Sequence, residues 1–278
     1  MNGRHLLAAL LLLALAAAPT GAAAEQIPAS RLQSLPDADI VILGELHDNP
    51  YHHANQAAAT AAIAPAALVF EMLTPELAAR AAGIDRSDAG ALAQALSWEA
   101  RGWPDFEMYH PIFEAAPQAR IFGGDLPRSE IRRALDEGAE AVFAARHGAQ
   151  AAQVWGLDRP LPPEQQAERE NAQARAHCDA MPEDLLPGMV AAQRLRDAAL
   201  AHSVTLAHAQ TGGPVVLITG NGHARTDRGV PRKLARGAPS LGVLAIGQLE
   251  SEPDSEPPYD LWLVTPGIER GDPCAAFE

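Results

Sequence analysis

The chain has 278 residues, of which 47% are hydrophobic, and its formal net charge is −14 at pH 7. An acidic protein lacks the basic stripe that neutralises phosphates in nucleic-acid binding, and anionic lipid surfaces repel it. The composition therefore excludes a nucleic-acid-binding protein, and it favours one domain with a large core and small ligands or metals as partners.

The N-terminal segment has the layout of a secretory signal peptide. A short basic flank precedes an apolar run over residues 6–18, and small residues follow at 22–24. The apolar run is shorter than the roughly 20 residues of a membrane-spanning helix, so no stable membrane insertion is expected. We predict a signal peptide over 1–24, cleaved near Ala24, and one mature domain over 25–278 that is periplasmic or secreted and soluble.

Short apolar runs of strand length alternate with alanine-rich stretches of helical character. This alternation indicates βαβ units and a mostly parallel central sheet flanked by helices, with strands buried on both faces. The last connection, 250–258, is acidic, proline-rich and too short for a crossover helix, so we predict an antiparallel final strand. The predicted strands are 40–43, 68–70, 120–122, 215–219, 242–246 and 261–264.

Residues 128–210, between the third and fourth of these strands, show no strand pattern. Their helical composition is interrupted by prolines, and residues 189–201 have apolar positions at helical spacing. The predicted fold class is therefore α/β, with a helical insertion over about 128–210 inside the single domain.

Two cysteines, Cys178 and Cys274, lie far apart in the sequence. An exported protein could join them in a disulfide, but sequence spacing does not give their distance in space. Their pairing stays open at this stage, and they do not form a metal motif.

Polar residues follow four of the predicted strands. Residues 44–53, with the sequence GELHDNPYHH, come directly after the first strand, and 220–225, GNGHAR, come after the fourth. Glu71 ends the second strand and Asp125 follows the third, although Asp125 could also be a turn or cap residue. Ligands bind beyond the carboxyl ends of the strands in open α/β sheets, so these groups are expected at one edge.

A Gly-x-x-His pattern occurs twice, as Gly44 to His47 and as Gly220 to His223. The glycines allow sharp turns, after which the histidines project over the edge of the sheet. Two imidazoles and the Glu71 carboxylate can hold a divalent metal with an open position, or act as a general base and orienting group around a polar ligand.

Structural roles are open for the same residues. Glu71 could cap the following helix, and His47 and His223 could be hydrogen-bonded histidines in strand-end turns. His52 and His53 are interpreted as the solvated start of a helix.

Four blocks together resemble the ChaN-like family of haem-binding uptake proteins: GELHDN at 44–49, VFEM at 69–72, QRLRD at 193–197 and GNGHAR at 220–225. That family belongs to the superfamily of Tiki, TraB and the erythromycin-esterase-like proteins, and the likeness runs from about residue 40 to 265. The resemblance implies a mixed α/β fold and a role in binding haem or acquiring iron. Arg196 and Asp197 of the third block are interpreted as a local pair, either at the helix surface or against the site.

The favoured hypothesis is an exported haem- or iron-porphyrin-binding protein in haem or iron uptake. Haem needs an axial donor and an apolar slot, and tyrosinate suits ferric haem. Tyr109 lies among aromatic and apolar residues that could face a porphyrin, although the same residues could be the start of an ordinary amphipathic helix. Tyr51 lies inside the site loop, and Arg225 could pair with a propionate. The ligand is held within one chain or between two subunits of a homodimer. The candidate ligand-binding residues are His47, Tyr51, Glu71, Tyr109, Asp125, His223 and Arg225.

The alternative hypothesis is a metal-dependent hydrolase. Tiki relatives are metal-dependent proteases that use Gly-x-x-His pairs and a glutamate, which match His47, His223 and Glu71 here. In this hypothesis these residues hold a divalent ion such as zinc or manganese, and Glu45 activates its water.

Overall fold

The computed structural model describes residues 23–272 and 274–275, so the predicted signal peptide lies outside the described residues except for its last two positions. A parallel sheet forms the centre of the described chain, which confirms the predicted α/β class. Its strands are β1 (Glu25–Gln26), β2 (Ile40–Glu45), β3 (Ala67–Phe70), β4 (Arg120–Gly123), β5 (Val215–Gly220), β6 (Val243–Leu249) and β7 (Leu261–Val264). They lie in the order β1-β7-β6-β2-β5-β3-β4.

Helices cover both faces of this sheet, and α5 to α9 account for the helical stretch predicted between β4 and β5. No helix in the described part of the chain is long and apolar enough to cross a membrane. The helices are α1 (Pro50–Ile63), α2 (Pro75–Arg80), α3 (Ala89–Ala95), α4 (Phe106–Ala115), α5 (Arg128–Glu137), α6 (Ala139–His147), α7 (Ala149–Val154), α8 (Pro163–Ala176), α9 (Leu186–Thr211), α10 (Asn221–Ala224) and α11 (Val230–Gly237).

The core has two layers because successive side chains of a strand point to opposite faces. Ile40 and Ile42 of β2 pack in one apolar cluster with buried residues of α9. Val41 and Leu43 pack in the other cluster with buried residues of α4. Burial on both faces explains why residues 40–43 of β2 are all apolar.

The prediction of an antiparallel final strand was wrong, since β7 pairs parallel to β6 with Ile246 opposite Leu261. Residues 250–260 return across the sheet without a helix. A parallel connection must be long enough to run back along β6. About eleven extended residues at ~3.3 Å each are longer than that strand. Tyr259 of this connection packs directly on Gly247, where a Cβ atom would lie 2.3 Å from the ring.

Cys178 and Cys274 form a disulfide with a Cα–Cα distance of 5.6 Å. The bond ties the turn after α8 to the C-terminal segment. The pairing that the sequence left open is therefore present in the fold.

Candidate functional site

The carboxyl ends of β2, β5 and β3, which are neighbours in the sheet, bring the two Gly-x-x-His turns together. Gly44 and Gly220 are both required because neighbouring atoms lie too close for a side chain. A Cβ atom at Gly44 would lie 2.4 Å from Asn221 Oδ1, and one at Gly220 would lie 2.9 Å from His47 Nε2. The glycines thus let His47 stand against the end of β5.

Glu71, at the end of β3, lies at the centre of the site. Its Oε1 atom is 3.9 Å from His47 Nε2 and 3.6 Å from His223 Nε2. Arg196 of α9 donates a hydrogen bond to the same oxygen at 2.5 Å. Burial alone would raise the pKa of Glu71, but the positive charges of His223 and Arg196 outweigh it and hold that pKa far below its usual range.

The second oxygen of Glu71 is also occupied. Thr219 Oγ1 donates to Oε2 at 2.5 Å, and the backbone N–H of Gly220 donates at 2.7 Å. Glu71 is 2% exposed, so these bonds replace water around an ionised carboxylate. Its arrangement does not fit a simple helix cap.

Each site histidine is oriented by a second carboxylate. His47 Nδ1 lies 2.6 Å from Glu45 Oε1, and His223 Nδ1 lies 2.6 Å from Asp197 Oδ1. Both Nε2 atoms are thereby directed to Glu71. The His47 side chain is 33% exposed and that of His223 only 4%, so His47 is the imidazole that an external ligand can reach.

The pKa of His47 is raised above its ordinary value. Burial favours the neutral ring, but the hydrogen bond to Glu45 and the negative charge of Glu71 outweigh that effect. Burial would likewise raise the pKa of Glu45, but hydrogen bonds from His47 and His53 lower it to about 2. A group with so low a pKa is a weak base near neutral pH.

Tyr109 lies beneath the site with no exposed surface. Its hydroxyl donates to Glu45 Oε1 at 2.8 Å, and burial followed by the charge of Glu45 raises the pKa of the phenol far above its usual range. An axial haem ligand must reach the iron as a phenolate, so the structure does not place Tyr109 for that role. It supports Glu45 instead.

The interpretation of His52 and His53 as a solvated helix start was wrong, since they are 0% and 1% exposed. His52 Nδ1 accepts the N–H of Leu46 at 2.8 Å, and His53 Nε2 lies 2.9 Å from the carbonyl oxygen of His47. The first turn of α1 packs against the end of the sheet, so these imidazoles fix the backbone of the site loop.

His47 has apolar and aromatic neighbours in the chain and in space. Tyr51 is 48% exposed and Leu46 is 37% exposed. The Trp103 ring lies with its centroid 5.0 Å from that of His47. The site therefore opens onto aromatic and aliphatic groups, with the Tyr51 phenol among the exposed ones.

The remaining two predicted site residues are engaged by neighbours. Asp125 is 8% exposed and accepts a hydrogen bond from Arg101, while burial raises its pKa above the ordinary value. Arg225 donates to both carboxylate oxygens of Asp227, at 2.9 and 2.6 Å. The guanidinium that was predicted to meet a propionate is thus already paired.

Sequence reasoning left α9 open between the helix surface and the site, and it gave no role to Gln193. Arg196 and Asp197, interpreted as a pair with each other, contact Glu71 and His223 respectively. Gln193, one turn earlier, places Nε2 3.2 Å from His223 Nδ1. Polar residues at i, i+3 and i+4 within an otherwise apolar buried stretch were the signal that could have shown this.

The fold and the site together define an α/β protein with a histidine–carboxylate centre at the carboxyl edge of its sheet. The chain belongs to the family described as "Haem-binding uptake, Tiki superfamily, ChaN", whose model matches residues 31–234. The resemblance seen in the four sequence blocks is thereby confirmed.

Two solved structures are similar to this chain. One, from work on "Cofacial heme binding to ChaN of Campylobacter jejuni", is 20% identical with a TM-score of 0.61, and the match covers 84% of this chain and 89% of that one. The type III effector HopBA1 is 15% identical with a TM-score of 0.43, over 82% and 88% of the two chains. At 20% identity the likeness to the first of these structures concerns the fold alone. No curated protein matches the sequence significantly.

Proposed function

We propose that this protein binds haem or a related iron porphyrin and acts in haem or iron uptake. The observation that carries the proposal is the match of residues 31–234 to a family of haem-binding uptake proteins. The surface around His47 supports it, because a porphyrin needs an apolar face and an axial donor.

Tyr51 is the axial ligand that we propose. Its side chain is half exposed in the first turn of α1, four residues after His47, whereas Tyr109 is fully buried. When bound, haem would supply an iron that accepts a phenolate oxygen. The chain would offer the faces of Leu46 and Trp103 to the ring, and His47 would orient or hydrogen-bond groups near the iron. This surface would cover one side of a porphyrin, so the proposal includes a homodimer that covers the other.

A haemin titration of the mature protein, followed by the Soret band, tests this proposal. We expect saturation at a defined stoichiometry. Tyr51→Phe removes the oxygen donor, so it should shift the band and weaken binding about tenfold or more, which is the scale for disturbed metal ligation. His47→Ala should weaken binding only modestly.

Two matched tyrosine variants control for general effects. Tyr109→Phe and Tyr259→Phe remove buried hydroxyls and should leave the Soret position unchanged. Binding that never saturates, or a Tyr51→Phe spectrum identical to that of the unmodified protein, would contradict the proposal.

A hydrolase is the second candidate function, and the orientation of the two imidazoles favours it. The exposed His47, held by Glu45, could take a proton from a polar ligand, with its Nε2 on the side of Glu71. The proposed role of Glu45 as the base fits poorly, because its pKa is about 2.

A divalent metal fits this arrangement poorly. The guanidinium of Arg196 lies on the Glu71 oxygen that faces both imidazoles, so a second cation there would compete with it. No group of three or more His, Cys, Asp or Glu side chains among residues 23–272 and 274–275 is arranged to hold a metal ion. Metal analysis of the purified protein tests this point: about one zinc or manganese ion per chain, without saturable haemin binding, would replace the haem proposal by the metal-dependent hydrolase.

We also propose that the protein is exported. The predicted signal peptide over 1–24 supports this, and so does the disulfide, because disulfides persist in oxidising compartments. Mass spectrometry of the periplasmic or secreted protein should find a chain that begins near Glu25, and a chain retaining residues 1–24 in a membrane fraction would contradict it.

A further inference from the structure

A basic cleft of about 340 Å³ lies between α8, α9 and α11 in this acidic protein. Seven of the 21 lysine and arginine residues of the chain line it, although the net charge is −14. A positive cleft in a negative molecule concentrates anions locally. The arginines are Arg159, Arg169, Arg194, Arg228, Arg232 and Arg236.

The seventh cation is Lys233, the single lysine of the chain. It is 9% exposed, and its Nζ donates to the carbonyl oxygen of Trp155 at 2.9 Å. Burial, together with the positive charges of Arg194 and Arg169, lowers its pKa to about 8, while Asp197 acts in the opposite direction. A buried ammonium among guanidinium groups is more stable when an anion is bound beside it.

Arg194 carries a buried donor without a partner. Its Nη2 atom donates to the carbonyl oxygens of Gly156 and Arg159, at 3.1 and 2.7 Å, but its Nε is enclosed and unbonded. Buried polar groups are normally hydrogen-bonded. A ligand oxygen that accepts a hydrogen bond from this Nε would therefore remove the cost of an unpaired buried donor.

The nearby carboxylates do not neutralise the cleft. Asp227 lines the cleft but is held by two guanidinium donors of Arg225. The charge of Asp197 acts on three of the cleft's seven cations, but this carboxylate is also held by His223. Glu168 is 3.6 Å from Arg228, but its side chain is 64% exposed, where ion pairs are weak. Asp158 and Glu140 act on Arg194 only at longer range.

The cleft continues toward the histidine–carboxylate site. A smaller recess of about 190 Å³ shares Arg169 and Arg228 with it and is also lined by Gln193, Asp197 and Gly222. Asp197 holds the ring of His223. A ligand anchored by the arginines could therefore extend to the wall behind His223.

We infer that this cleft binds a small ligand carrying two or more closely spaced phosphate or carboxylate groups. Guanidinium forks match both kinds of oxyanion bidentately. Seven cations are more than a single carboxylate group would neutralise, so the ligand should carry several negative charges. The unbonded Nε of Arg194 can donate a hydrogen bond to one of its oxygens. This inference does not depend on haem binding at His47.

Calorimetry with inorganic tripolyphosphate on the mature, disulfide-bonded protein tests the inference. We expect one saturable site whose affinity falls as salt rises. The double variant Arg228→Gln, Arg232→Gln should weaken binding about tenfold or more, since each charge-assisted contact contributes substantially. The control Arg80→Gln, Arg132→Gln has the same change in net charge at exposed sites outside the cleft and should bind like the unmodified protein. Absence of saturable binding, or equal weakening in both double variants, would overturn the inference.

Lysine labelled with ¹³C at Cε gives a second readout, because the chain has one lysine. Tripolyphosphate should raise the pKa reported by the Lys233 signal from about 8, and an unchanged titration would mean that the anion binds elsewhere. A competition experiment with haemin distinguishes the two possible sources of the anionic groups. Tripolyphosphate should displace haemin if the groups are porphyrin propionates, and should bind independently of haemin if they belong to a phosphorylated small molecule.

Discussion

Glu45 and Glu71 are buried carboxylates that neighbouring cations keep ionised. Because their folded pKa values lie below those of the unfolded chain, they add stability above about pH 4.5 that is lost as pH falls toward their folded values. His47 and His53 have raised pKa values, so their contribution is present below about pH 6.5 and is lost as pH rises through the folded values. Burial lowers the pKa of the neighbouring His52 to about 4, so this residue opposes the other two imidazoles below pH 6.5.

Glu45→Gln should remove the stability that comes from the ionised Glu45 carboxylate and from its contact with protonated His47. We expect the free energy of unfolding at pH 5 to 6 to fall by about 3 kcal/mol, from the lowering of the Glu45 pKa from 4.5 to about 2. The difference should shrink as pH falls toward 2, and also above pH 6.5 as His47 loses its proton. Denaturant unfolding between pH 2 and 9 measures it. The exposed-site variant Glu99→Gln is the control, and a pH-independent loss in Glu45→Gln would contradict the linkage.

The turn from β5 into α10 positions the site through close packing of the backbone. Gly220 has an ordinary extended conformation, so an alanine there is limited by space and not by backbone strain. Its Cβ atom would lie 2.9 Å from His47 Nε2, whereas a Cβ atom at Gly222 would meet nothing closer than Gln193 Nε2 at 3.9 Å. The two glycines of this turn therefore have different roles.

Gly220→Ala should displace the His47 ring while leaving the fold intact. Overpacking of this kind costs about 1–3 kcal/mol, and we expect the NMR-monitored pKa of His47 to move toward its ordinary value as its contacts with Glu45 and Glu71 loosen. Gly222→Ala, two residues away, is the matched control and should change neither quantity. Identical His47 titration curves in the two variants would show that Gly220 does not position this ring.

Across the whole molecule, the Cys178–Cys274 disulfide closes a loop with a sequence separation of 96. A cross-link of this length removes many conformations from the unfolded chain, and the disulfide joins the helical insertion to a segment beyond the last strand. The overall stability therefore depends on oxidation even though the two cysteines lie outside the site.

The double variant Cys178→Ser, Cys274→Ser should lower the free energy of unfolding by about 2–4 kcal/mol. Denaturant midpoints for the variant and for the protein under reducing conditions should agree, because both lack the same cross-link. Haemin binding measured well below the midpoint should be unaffected. A midpoint that does not change on reduction would show that the disulfide adds no stability.

The local pattern of the sequence was sufficient for the class of fold and for the location of the site. Strands buried on both faces have continuous apolar runs, so β2, β3 and β5 could be recognised. Parallel strands deliver their loops to one edge. The two Gly-x-x-His turns could be placed at that edge for the same reason. The family resemblance followed from blocks at those same strand ends.

Only the tertiary structure decided which groups face each other. The direction of β7 depended on the path of residues 250–260. This extended connection returns to the start of the sheet without a helix, so the lack of a helical pattern did not reveal that β7 is parallel to β6. Burial of His52 and the pairing of Arg196 with Glu71 depended on elements far apart in sequence. The basic cleft likewise joins the basic stretch at 228–236 to Arg159, Arg169 and Arg194, which lie far from it in the sequence. Hydrogen bonding and charge act through distance in space, which periodicity along the chain does not encode.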